Sequence, residues 1–312
     1  MKIIDAHCDL LYKMYLDRSI SFTDNKDGVD VTFSRLIDGN IALQWFAIFL
    51  PSDPSYHHFD NVLTYIDLYR SRIVNHPQMA MIESRNDWIK ALAENKIGAM
   101  LSLEGVEGLG GRLEWLRIAA YLGVRSIGIT WNPANWAADG VGEPRKGGFT
   151  VQGKNLIREC NRLKLMLDVS HLCETAFWEL AELSNRPFAA THSNCYSLCP
   201  HPRNLTNEQI MYLVRSQGRM GITFVPHFVS ERSPDLTRLL HHIDHVCSLG
   251  GEHILCFGSD FDGIDNKLPH LEHPGQYQNL VEELEKRYTN QQVQQFLFGN
   301  WHTFLLEQLP EE

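Results

Sequence analysis

Several runs of β-type apolar residues in this chain end on a histidine or an acid. Lys2-Ile3-Ile4 leads into Asp5-Ala6-His7-Cys8-Asp9; residues 98–103 end on Glu104, 165–170 on His171, 188–191 on His192, and 254–259 on Asp260. Alternate side chains of an extended strand share a face, so a strand through His7 and Asp9 would aim both the same way, about 7 Å apart. Asp5 would share that face, as support for His7 or as a buried structural acid. Imidazole nitrogen and carboxylate oxygen form a hard-to-borderline donor set that suits zinc, with manganese or cobalt as alternatives. Three histidines and three carboxylates exceed what one tetrahedral ion needs. Two Zn2+ sharing a bridging carboxylate would use them, acidify a bound water and polarise an acyl oxygen. That is hydrolytic chemistry.

Such side chains need elements that bring strand ends together. Strand-like runs fall at residues 2–7, 41–50, 97–103, 124–130, 163–170, 187–191, 219–225 and 253–259. Amphipathic helical spacing lies between most of them, at 59–74, 86–94, 113–122, 153–162, 174–183 and 207–216. Eight strands alternating with helices point to parallel βαβ units. The expected fold class is α/β, a single (β/α)8 TIM-type barrel. Residues 1–312 would form one catalytic domain, with 276–312 supplying C-terminal closing helices. In a barrel all the ligand-type residues fall on one rim, where such folds carry their active sites. A doubly wound open sheet is the alternative, but no G-x-G-x-x-G follows the first strand. Gly123 and Gly218 sit where helix-ending glycines belong, and the polar, glycine-rich 136–148 stretch reads as a lid over the active rim.

Composition narrows the partners. A formal charge of −10 argues against nucleic acid or an anionic membrane surface. No apolar run is long enough to span a bilayer, and Met1-Lys2-Ile3-Ile4 meets Asp5 without the apolar core of a signal peptide. The seven cysteines are odd in number and lack a C-x-x-C pair, so reduced thiols and a cytoplasmic location are expected. There is no Walker motif after Gly105 and no G-x-S-x-G elbow. His57, His58, His241 and His245 are expected to face solvent, and His227 falls on the active rim by position.

Taken in order, the motifs Asp5-Ala-His7-Cys-Asp9, Ser102-Leu-Glu104-Gly, Gly123-Val-Arg-Ser-Ile-Gly-Ile-Thr130, Asp168-Val-Ser-His171, Thr191-His192-Ser-Asn and Gly258-Ser-Asp260-Phe-Asp-Gly resemble peptidase family M19. These are the renal or membrane dipeptidases among the amidohydrolase-type barrels. The resemblance runs nearly end to end. It implies that His7 and Asp9 hold one zinc, His171 and His192 the second, and that Glu104 bridges them. It assigns Arg203, in Cys199-Pro-His-Pro-Arg203, to the substrate carboxylate, and Asp260 to the free amine and to proton transfer. A planar guanidinium suits a free carboxylate because it can bind both oxygens. The implied substrates are free dipeptides, including ones with a C-terminal D-residue; homodimers occur in the family.

One position departs from the family pattern. Where the animal enzymes carry a histidine that supports the oxyanion, this chain has Trp131, which can donate one hydrogen bond but carries neither charge nor proton-accepting nitrogen. Trp131 is therefore expected to wall the substrate pocket. Two other readings keep the site: an amidohydrolase acting on a lactone, cyclic amide or phosphoester, and a metal-binding protein without catalysis.

Overall fold

The computed structural model describes residues 1–25 and 28–312. In chain order the strands are β1 (Ile3–Asp5), β2 (Ile41–Phe49), β3 (Met79–Met81), β4 (Ile97–Glu104), β5 (Val124–Gly128), β6 (Met166–Asp168), β7 (Ala189–Ala190), β8 (Arg219–Ile222) and β9 (Leu255–Phe257). Eight of them are the expected runs. β3 is the addition. It has three residues and is half-buried beyond Met79, too short to show a period.

The chain divides into two compact units. One comprises Met1–Trp45 and Ala190–Glu307, the other Phe46–Ala189 and Gln308–Glu312. In the first, β1 pairs in parallel with the start of β2 (Ile3 opposite Ile41) and with β9 (Asp5 opposite Phe257), and β9 pairs with β8. Phe224, Phe257, Phe261 and Tyr277 pack edge to face or tilted beside these strands, a favoured geometry for aromatic rings. In the second unit β3 to β7 follow one another in parallel. Glu104 pairs with Gly128, Gly128 with Asp168, and Asp168 with Ala189. Every residue of β4 is buried, as a parallel strand covered on both faces should be.

Local chemistry explains most helix boundaries. Ser84, Thr206 and Thr289 each close a capping box with Asp87, Gln209 and Gln292, starting the helices Arg85–Ala93, Asn207–Ser216 and Asn290–Gln294. Gly123 ends its helix with φ 113° as expected, but before Gly218 it is Gln217 that takes the left-handed turn, at φ 59°. The closing segment resolves into Tyr277–Glu285 and a second arm from Asn290 to Gln308, interrupted by a π turn at Gln295–Gly299. The expected lid is tied down. Ala138 bridges Phe149, Gly140 bridges Leu172, Trp136 Nε1 donates to the Val106 carbonyl at 2.7 Å, and Arg145 forks onto Asp139. Arg145 beside it holds the Asp139 carboxyl below the usual carboxylate range. All seven cysteines are free thiols.

Candidate metal centre

Within the first unit, one donor cluster is assembled at the ends of β1 and β9. Strand β1 stops at Asp5, whose buried carboxylate explains why. It accepts from the backbone N–H of His7 (3.3 Å) and of Ser259 (2.9 Å), and from the Tyr277 hydroxyl (3.0 Å). Burial raises the Asp5 carboxyl, and the Ser259, His7 and Tyr277 hydrogen bonds oppose that rise. The two loops are then joined directly. Ser259 Oγ and the Asp260 N–H donate to the His7 carbonyl, and the Asp9 N–H donates to that of Phe261.

Strand alternation therefore does not align His7 with Asp9. Asp9 has left the extended region (φ −109°, ψ 25°) and stands at the N-terminus of the helix Leu10–Leu16. The turn puts Asp9 Oδ2 3.3 Å from His7 Nε2, and Asp260 Oδ1 3.7 Å from the same nitrogen. Ligand atoms of His7, Asp9 and Asp260 all lie within 4.8 Å of one another. Gly263 lies so close to the Asp9 and Asp260 carboxylates that a Cβ there would strike both. The His192 ring centroid is 3.9 Å from that of His7, and its Nδ1 meets Thr191 Oγ1 at 2.9 Å. Arg203, expected at a substrate carboxylate, is buried at 5% exposure. Its Nη2 donates to the His192 carbonyl at 3.2 Å and its guanidinium lies over the Phe228 ring.

A clamp that sequence reasoning missed holds this loop from behind. The Asp262 carboxylate accepts from the N–H groups of Asp30 (2.7 Å) and Val31 (2.9 Å), and the Asp30 carboxylate accepts in return from the Asp262 N–H. Lys13 stands 3.3 Å from Asp262, and Lys267 pairs with Asp30. Burial and the adjacent Asp30 push the Asp262 carboxyl upward, while Lys13 opposes this. The signal was present in Asp260-Phe-Asp262-Gly; its partner 232 residues away was not visible.

Within the second unit, Glu104 ends β4 and His171 follows β6. Asp168 Oδ1 accepts from the Ser170 N–H at 3.0 Å, and His171 sits at φ 75°. Asp260 and Asp262 in the first unit also have positive φ, 69° and 67°. Non-glycine residues held there cost about 1–2 kcal/mol each, and such strain concentrates at functional sites. His171 Nδ1 meets Asn132 Oδ1 at 2.8 Å, and His171 Nε2 stands 2.8 Å from Glu104 Oε1. With Nδ1 donating to Asn132, Nε2 presents a lone pair toward a carboxylate oxygen. Two lone pairs at that distance repel unless a cation or proton lies between them. Here, too, the donor chemistry fits a metal. Asn132 supplies the orienting contact that metal-binding histidines characteristically make. Trp131 packs against Phe49 and stands 6.1 Å from His171, ring centroid to ring centroid.

The remaining histidines divide. His227 and His241 are exposed. His245 is not on a freely solvated face, since its Nε2 meets Ser197 Oγ and Asn207 Oδ1. His57 is half-buried, and its Nε2 meets the Pro51 carbonyl at 3.0 Å.

Parallel strands alternating with helices, with buried His and carboxylate donors at strand ends, define a (β/α)8 TIM-type barrel of the metallo-dependent hydrolase class. The family model for membrane dipeptidase, peptidase family M19, matches residues 1–307, and the chain belongs to that family. It is a metallo-dipeptidase by that membership. A solved structure described as the dipeptidase AC, a metallo peptidase of family M19, has a TM-score of 0.91 at 28% identity, covering 100% of this chain and 99% of that one. A metallo peptidase from Rhodobacter sphaeroides, liganded with a phosphinate mimic of the dipeptide L-Ala-D-Ala, has a TM-score of 0.91 at 26% identity, covering 99% of both chains. The dipeptidase aclJ of Aspergillus oryzae is 28% identical over 310 residues, 91% of this chain and 72% of the relative. Among the described residues, no helix is long and apolar enough to cross a membrane.

Proposed function

We propose that this protein is a zinc-dependent dipeptidase that hydrolyses free dipeptides, including those with a C-terminal D-amino acid. Residues 1–312 would act as one catalytic domain. His7 and Asp9 would hold one ion, His171 and His192 a second, with Glu104 between them. When bound, such ions lower the pKa of a water and polarise the scissile carbonyl. The observation that carries the reading is the buried pair of Glu104 and His171, 2.8 Å apart with donor atoms facing. The His7–Asp9–Asp260 cluster supports it, as does the position of every one of these residues at the carboxyl end of its strand, the active rim of such barrels.

The protein's own groups do the rest. Arg203 takes the substrate's free carboxylate on its planar fork. Asp260 pairs with the free amine and passes a proton toward the leaving nitrogen. Salt links at both termini would restrict the site to dipeptides, because a longer peptide would misplace one charge. Trp131 excludes water beside His171. The L-Ala-D-Ala mimic held by the Rhodobacter sphaeroides relative is the basis for including D-residues. Cytoplasmic residence is supported by seven free thiols, and homodimer formation rests on the family resemblance alone. A panel of L-L and L-D dipeptides, assayed after chelation and after adding zinc back, tests the proposal. Zinc-restored hydrolysis is expected; metal-independent hydrolysis would refute it.

A further inference from the structure

Beside Trp131 lies a cavity of about 240 Å³ within the second unit. Leu50, Pro54 and Pro133 give it apolar walls, the Trp131 indole closes one side, and Ser52, His57 and Glu107 are its polar groups. The Trp131 indole that lines it stands 6.1 Å from the His171 ring, centroid to centroid. At about 30 Å³ per water it has room for roughly eight, enough for a long side chain.

Among the described lining residues Glu107 is the one carboxylate. Glu107 Oε1 accepts from Asn135 Nδ2 at 3.0 Å, which fixes the carboxylate against the loop that carries Trp131. His57 Nε2 donates to the Pro51 carbonyl, leaving Nδ1 as an acceptor. No lysine or arginine occurs among the described residues that line the cavity. Burial raises the Glu107 carboxyl, opposed chiefly by the Asn135 hydrogen bond, so a cation placed here would relieve a desolvated acid. A carboxylate and an imidazole acceptor between apolar walls match an aliphatic stem carrying a cationic, donor-rich head.

We infer that this cavity receives the side chain of one residue of the dipeptide, and that Glu107 selects a basic side chain there, lysine or arginine. The inference rests on the dipeptidase reading and adds its substrate class. Norleucine has a stem like that of lysine without the charge, so comparing the two isolates Glu107's contribution from the size of the cavity.

The test measures kcat/KM on the zinc-loaded protein for Ala-Lys, Lys-Ala, Ala-norleucine, norleucine-Ala and Ala-Ala. In one of the two positional series lysine should exceed norleucine by about tenfold, the effect of about 1.4 kcal/mol. Glu107→Gln keeps an acceptor for Asn135 and removes the charge. It should erase that ratio, leaving lysine and norleucine within about threefold of each other, about 0.65 kcal/mol. Norleucine equal to or better than lysine in both series would overturn the inference and leave the dipeptidase reading standing. So would a lysine preference that survives in Glu107→Gln. Hydrolysis of none of the five would overturn both.

Discussion

His171 and Glu104 face each other across 2.8 Å, the imidazole turned by Asn132 so that its Nε2 meets the carboxylate. A buried nitrogen lone pair and a buried carboxylate oxygen tolerate that distance only with a cation or a proton between them. The arrangement is one that a metal ion would complete.

Removing the charge of Glu104 tests its bridging role. Glu104→Gln should lower the metal content of the purified protein. It should also reduce kcat on the order of a thousandfold, about 4 kcal/mol of barrier. Near-normal activity at full metal occupancy would show that Glu104 does not bridge.

Asn132 acts through His171. Asn132→Ala leaves every expected ligand in place but releases the imidazole ring, and loss of such an orienting contact typically weakens metal binding about 10–100-fold. Competition with a chelator of known affinity measures this; unchanged affinity would mean that the ring is held by its other contacts.

Tyr277 and Asp5 form a buried hydrogen bond at 3.0 Å beneath the His7 loop. Tyr277→Phe removes one donor from an acid already raised by burial, which should cost about 1–3 kcal/mol of stability. The urea midpoint should fall with the slope unchanged. An unshifted midpoint would indicate that the backbone donors of His7 and Ser259 suffice.

The sequence made the strand ends legible because β-branched runs closing on His or acid are a local signal. β1, β6, β7 and β9 lie within the expected runs, and β4 exceeds its run by Glu104. The geometry of His7 and Asp9 was not legible. Asp5 ends the strand early by accepting from the His7 N–H and from Ser259, a residue 254 positions away. For the same reason Asp262 was visible as a letter but not as a clamp on Asp30. His57 was expected in solvent because it precedes a helix, yet it meets the Pro51 carbonyl and helps line the cavity beside Trp131. Asp260, expected at the substrate amine, has its carboxylate within 4.8 Å of the His7 and Asp9 donor atoms.

His242 gives the fold a defined acid response. It is buried between the Cys195 N–H and the Val229 carbonyl, and burial pushes it down to about 4. The unfolded chain takes up this proton below about 6.5, whereas the folded chain resists until about 4. The contribution of His242 to stability is therefore complete above about pH 6.5, falls as the pH drops toward 4, and levels below it; the loss is on the order of 3 kcal/mol. Urea midpoints across that range should fall less steeply in His242→Gln. An identical slope in both proteins would assign the acid response to other groups.

The most direct measurement combines a metal count with turnover of L-Ala-L-Ala and L-Ala-D-Ala on the same purified sample. Two zinc ions per chain are expected, with hydrolysis that disappears on chelation and returns with zinc. Two bound ions with no hydrolysis of any dipeptide would contradict the central claim.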